Sequence, residues 1–193
     1  LDRANSRTRG LVGHWPMWEN GGDTVYDLSG NGNHGTTTGA TWTSGKYGPC
    51  LYFSGTDNYV TCDTSSALFV TGNFTIIAWI NPDDLANDYR TIIEVGDNLD
   101  HRYGMWQYGD DLFCITDGTW ASSKQQCVTL GWQQVAVVFD SSANTKEYYR
   151  DRGLERDGPF AVLDIRWQTN SSQRVSTRWG YQVDHAGCKN PQL

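Results

Sequence analysis

Glutamate is scarce in this chain of 193 residues: Glu19, Glu94, Glu147 and Glu155 stand beside eighteen aspartates. No Glu-x-Asp-x-Glu stretch sets alternating carboxylates on one face of a strand, the arrangement that glycoside hydrolysis on a sheet uses. Glu94 through Asp97 to Asp100 is the nearest approach, and its Asp-Asn-Leu-Asp reads as a loop. Histidine is also short, with His14, His34, His101 and His185 scattered and no pair at zinc spacing. Positive charge is in deficit, 15 Lys and Arg against 22 Asp and Glu, and the net charge of −7 argues against nucleic acid as a partner. No apolar run nears the ~18 residues that cross a bilayer, which excludes membrane insertion by a helix. The first ten residues, LDRANSRTRG, are polar and lack the apolar stretch of a signal peptide.

Aromatics and glycine are abundant instead: nine Trp, ten Tyr and 21 Gly, within a hydrophobic share of only 38%. That balance suits short strands joined by tight turns. Strand-like segments follow at short intervals: LVGHWPMW, CLYF, NYVTC, NFTIIAWINP, RTIIEVG, YGMWQYG, DLFCIT, QQCVTL, GWQQVAVVFD and TKEYYRD. In FTIIAWI, Phe74, Ile76, Ala78 and Ile80 alternate with Thr75, Ile77 and Trp79, whereas WQQVAVVFD is the continuous run of a central strand covered on both faces. No segment carries a capped helical period. The expectation is one all-β domain over residues 1–193, with a polar arm at 1–9 and a divergent segment at 152–193 whose strand candidates are FAVLDIRW and RVSTRWGYQV.

The five cysteines have a local symmetry. Cys50 and Cys62 lie equidistant from Thr56, and Cys114 and Cys127 flank DGTWASSK in the same way. If each pair of arms forms a hairpin, the cysteines lie opposite and can bridge. Two bridges, Cys50–Cys62 and Cys114–Cys127, imply an oxidising setting, and the other reading is buried thiols.

Four segments carry a family resemblance. GLVGHWPMWENGGDTVYDLSGNGNHGT (10–36), GKYGPCLYFSGTDNYVTC (45–62), FTIIAWINP (74–82) and WQQVAVVFDSSANTKEYYRD (132–151) resemble, in order, the laminin G-like jelly-roll family of the concanavalin A-like lectin and glucanase superfamily. The resemblance implies a two-sheet antiparallel jelly-roll sandwich. Arg152 is inserted before the family's turn glycine, and the closing strand has no clear counterpart. QVDHAG, with Asp184, is its nearest echo, and LDIRW, with Asp164, the next.

Asp27-Leu-Ser-Gly-Asn31-Gly-Asn33 is the first site candidate. Alternating Asp, Asn and Gly lets oxygens converge as Ca²⁺ requires, and the excess of Asp is compatible with a hard cation. The resemblance implies a structural Ca²⁺ held by Asp27, Asn31 and Asn33 and completed by Asp184. A plain turn capped by Asp27 stands beside that reading. Gly30, Gly32 and Gly35 match a dinucleotide fingerprint, but no helix follows. The second candidate is an aromatic platform of Tyr103, Trp106, Tyr108 and Trp120, near several aspartates, on which sugar C–H faces could stack. Ordinary packing competes with it, and packing is the reading for Trp15, Trp42, Trp79 and Trp132, which sit in the motifs of the resemblance; Gly45-Lys-Tyr-Gly48 is the turn of its second motif. The resulting expectation is a non-catalytic glycan-binding or adhesion module, extracellular, on a cell surface or on a virion. A structural or decorating protein that binds cell-surface or virion proteins, self-associating through 152–193, is the alternative. A polysaccharide hydrolase or lyase ranks last.

Overall fold

The alternation in FTIIAWI translates directly into two faces. The structure is a computed structural model that describes residues 10–55, 57–62, 68–97, 100–116, 126–151, 161–169 and 178–179. In β7 (Phe74–Ile80), Phe74, Ile76, Ala78 and Ile80 point into the main core. Ile77 turns the other way, onto Ala136, Leu11 and Tyr149. Antiparallel β11 (Gln133–Asp140) sets Val137 opposite Ile76 and Val135 opposite Ala78, so both strands bury the same face. β12 (Thr145–Arg150) extends the sheet on the far side of β11.

On the other flank of β7 runs β13 (Ala161–Thr169), parallel to it, with Leu163 level with Ile76. Its second edge pairs in parallel first with β1 (Leu11–Trp15) and then with β5 (Gly48–Phe53). β4 (Thr41–Gly45) completes a seven-stranded sheet as its edge. The strand expected at FAVLDIRW is therefore present, at the centre of the sheet. Its parallel pairing departs from the all-antiparallel expectation. A strand hydrogen-bonded on both edges must match three neighbours, so its direction is set by the sheet rather than by any local turn.

β8 (Arg90–Asp97), β9 (Asp100–Tyr108) and β10 (Asp111–Thr116) form an antiparallel meander. β2 (Thr24–Val25), β3 (Gly35–Thr38), β6 (Tyr59–Cys62) and β14 (Arg178–Trp179) make a four-stranded group, and β14 also lies beside β8. Trp15, Phe53, Ile76 and Val137 from the large sheet share one buried cluster with Val60, Ile93, Met105 and Phe113 from the smaller ones. This is an all-β sandwich, and no α-helix occurs among the described residues.

The two expected disulfides do not form. Cys50, Cys62 and Cys114 are buried and in no disulfide. Cys50 lies on β5 and Cys62 on β6, which belong to different sheets, so the SGTDN segment crosses between layers instead of closing a hairpin. In the second pair, Gln126 lies opposite Asp111 and the Cys127 N–H donates to the Asp110 carbonyl. That register sets Cys127 four residues from Cys114, roughly 13 Å along a strand and beyond disulfide reach. Cys127 is itself disulfide-bonded, to none of Cys50, Cys62 and Cys114, so an oxidising setting rests on a bridge other than the two expected.

Candidate functional site

The aromatic platform expected in the middle of the chain is mostly interior. Tyr103 is 1% exposed, its hydroxyl donates to the Leu68 carbonyl at 2.6 Å, and its ring packs 4.8 Å from Phe74. Burial raises its phenol well above the usual range. Trp106 is also buried, its indole folded across Gly104, where an added Cβ would come within 2.4 Å of the ring. Tyr108 is half-buried, with its ring 5.4 Å from that of Tyr89, and Trp120 lies outside the described residues. β9 is covered on both faces, so alternation exposes neither Tyr103 nor Trp106, and no sugar reaches them.

The Asp27 loop is a knot of hydrogen bonds. One carboxylate oxygen of Asp27 accepts the His14 N–H at 3.0 Å and the Ser29 N–H at 2.8 Å. The other accepts the Ser29 hydroxyl at 2.8 Å and the Asn33 N–H at 3.0 Å. Asn31 and Asn33 donate their side-chain amides to the Val12 carbonyl, and Asn31 also to that of Leu11. The Asn33 carbonyl accepts the Trp15 indole N–H at 2.7 Å. A cation at Asp27 would confront four donors aimed at the same lone pairs, so this donor set does not fit a calcium cage. Asp184 lies outside the described residues. The loop instead fastens β1 and orients the core indole of Trp15, which favours the capped-turn reading.

A different aromatic cluster is open to solvent. β4 and β5 are joined by a two-residue loop, Lys46-Tyr47, closed by the facing pair Gly45 and Gly48. Gly48 has a φ of 125°, a conformation that a side chain would strain. The tight turn projects both residues at its tip: Tyr47 is 57% exposed and stands edge-on to Trp79 of β7, with ring centroids 4.9 Å apart at 77°. The Lys46 ammonium rests 4.7 Å from the Trp79 ring centre and 5.4 Å from that of Tyr47, within cation–π range of each. Trp132, just before β11, completes the wall of a shallow cleft open to solvent, with an enclosed volume of about 10 Å³ and with Pro49 and Cys50 also lining it. Enclosed sites for drug-sized ligands span roughly 300–1,000 Å³, far more than this cleft, so a ligand here would lie across an open surface.

The cleft is poor in reactive groups. Among the described residues its lining includes no Asp, Glu or His. Burial pushes the Cys50 thiol up to about 11, so it stays protonated near neutral pH and is a weak nucleophile. Sequence reasoning quoted Gly-Lys-Tyr-Gly only as a turn and assigned Trp79 and Trp132 to packing. The available signal was the turn itself, since a two-residue loop leaves long side chains at its tip no interior to enter.

A family described as the concanavalin A-like lectin/glucanases superfamily matches residues 54–183. The match takes in part of the segment after residue 151, where the sequence motifs fade, and leaves out the opening at 10–36. No curated protein sequence matches the chain. Among solved structures, a mutant of Trypanosoma rangeli sialidase displaying trans-sialidase activity is similar, with a TM-score of 0.51 and 14% identity. The alignment covers 94% of this chain but 28% of the sialidase chain, a likeness of fold alone. The family match spans about two thirds of the sequence and agrees with the all-β sandwich: the chain belongs to the concanavalin A-like lectin/glucanases superfamily.

Proposed function

We propose that the domain is a non-catalytic carbohydrate-binding module whose site is the corner formed by Tyr47, Trp79 and Trp132 with Lys46. The observation that carries this reading is the pair of nearly perpendicular rings, Tyr47 and Trp79, at an exposed hairpin tip. Sugars present C–H faces that stack on aromatic rings and hydroxyls that need polar neighbours, and the Tyr47 phenol and Lys46 ammonium supply donors beside the rings. The lack of carboxylates in the cleft supports binding without hydrolysis, because glycoside cleavage there would need an acid and a base or nucleophile.

The test is a glycan array probed with the intact chain and with Tyr47→Ala. Tyr47 is 57% exposed, so its removal should leave the unfolding midpoint within ~1 °C while weakening the best ligand at least about tenfold, ~1.4 kcal/mol. Undiminished binding by Tyr47→Ala would move the site elsewhere. A silent array with ordered self-assembly would favour a structural or decorating role, and release of reducing sugar from a bound polysaccharide would overturn the non-catalytic reading.

A further inference from the structure

Among the described residues Lys46 is the sole charged one lining the cleft, and its resting position is informative. Its ammonium lies over Trp79, the surface on which a sugar would stack, and touches the Tyr47 ring as well. Among the described residues no carboxylate lines the cleft to hold it elsewhere. A neutral ring settling on Trp79 must displace the ammonium from the π faces and offers it only uncharged hydroxyls in exchange. A ring bearing an anionic group meets the opposite situation: the ammonium swings off the indole and closes on the anion in a charge-assisted hydrogen bond. The cation thus acts twice, as a cover that discriminates against neutral ligands and as the partner that rewards anionic ones.

We infer that the Lys46–Tyr47–Trp79 corner selects carbohydrate carrying an anionic substituent, a carboxylate or a sulfate ester. The inference rests on the carbohydrate-binding reading of the same cleft and sharpens its ligand class. The protein's net charge of −7 works against acidic ligands at long range. That repulsion is screened beyond roughly 8–10 Å at physiological salt, whereas a contact between Lys46 and the anion is not. Selectivity should therefore reside in Lys46 and persist at moderate salt.

The experiment compares the intact wild-type chain with Lys46→Ala, Lys46→Arg and Tyr47→Ala, all shown to be folded by their unfolding midpoints. Each is titrated calorimetrically with oligogalacturonides, with their methyl esters, and with a sulfated and a desulfated galactan oligosaccharide. The expected pattern is a lost preference. Lys46→Ala weakens the acidic probes about five- to tenfold more than their neutral counterparts, while Lys46→Arg retains the acidic preference. The carboxylate and sulfate arms tell which anion is preferred. Equal affinity of wild type for charged and neutral members of both pairs, or equal losses on both in Lys46→Ala, would overturn the anionic inference and leave the carbohydrate site standing. Binding that survives Tyr47→Ala, or no binding to any probe or array glycan, would remove the carbohydrate site and this inference with it.

Discussion

Replacing Asp27 with Ala tests whether the Asp27–Asn33 loop is held by protein donors or organised around a cation. The carboxylate is 4% exposed and accepts four hydrogen bonds, three from backbone N–H groups and one from the Ser29 hydroxyl. A hydrogen bond to a charged acceptor contributes about 1.5–3 kcal/mol, and stranded buried donors add a desolvation cost. The four are not additive, because they share one side chain and the exposed turn at Gly30 to Gly32 lets water reach some of the freed donors. A loss of roughly 3–5 kcal/mol follows, and at ~2–4 °C per kcal/mol for a domain of this size the midpoint should fall by about 6–20 °C. Asp27→Asn keeps one acceptor but turns an amide toward the donors at the other, so its loss should be intermediate. Urea and thermal denaturation, each with 2–5 mM-scale calcium or with EDTA, supply the measurement (concentrations of the order used for weak extracellular calcium sites). Wild-type midpoints should agree in the two conditions. An Asp27→Ala protein within ~1 kcal/mol of wild type would refute the hydrogen-bond account. A saturable rise of the wild-type midpoint with calcium, absent in Asp27→Ala, would show that those oxygens serve a cation.

Two further predictions follow from buried titratable groups. Native protein at pH 8 should resist iodoacetamide at Cys50 and Cys114, whose thiols burial pushes up to about 11 and about 12, and at equally buried Cys62. Denaturation without reductant should expose all three to labelling, as peptide mass spectrometry would report, whereas three residues still blocked in denaturant would establish bridges. Asp84 faces the fully buried Arg90 guanidinium. Burial opposes its charge, but the Ala86 N–H and Arg90 together hold its carboxyl below the usual range. A depressed folded value means that the contribution is complete above the unfolded carboxyl value near 3.9 and is lost as pH falls through the folded value. Asp84→Asn should flatten that part of the acid-side stability curve, measured by urea midpoints between about pH 2 and 6, and an unchanged slope would contradict the pairing.

Much of the architecture was legible because it rests on period-two burial. The positions read as inward in FTIIAWI are the ones buried in the core, and QQVAVVFD lies in the interior of the sheet, as its continuous apolar run implied. GTTT and TWTSG did not read as strands, and they form β3 and β4. Both are rich in threonine, largely on the surface, and carry no apolar alternation to distinguish them from a loop. Pairing was the harder problem. Symmetry about Thr56 suggested a hairpin, but whether two consecutive strands pair or part to opposite layers depends on where their inward faces find a core. β5 is needed beside β13, a strand more than a hundred positions away, and β6 beside β3, which precedes both arms of the supposed hairpin.

The site was misread for a reason visible in the sequence after all. In Gly13-His-Trp15 and Gly104-Met-Trp106 the glycine lies two residues before the tryptophan, on the same face of the strand. In both, the indole folds back over the bare glycine: a Cβ would come within 2.1 Å of the Trp15 ring at Gly13 and within 2.4 Å of the Trp106 ring at Gly104. A Gly-x-Trp pattern within a strand is thus a packing signature, since the glycine exists to make room for a ring laid flat in the core. Such an indole has its face covered from within and cannot offer it to a sugar. Tyr47 is the converse, with bare glycines flanking the two-residue tip and Trp79 meeting it from the neighbouring part of the sheet. The number of aromatics in a segment therefore says less about ligand binding than their setting. A ring two residues beyond a strand glycine is spoken for, and a ring at the tip of a two-residue turn stands out toward solvent.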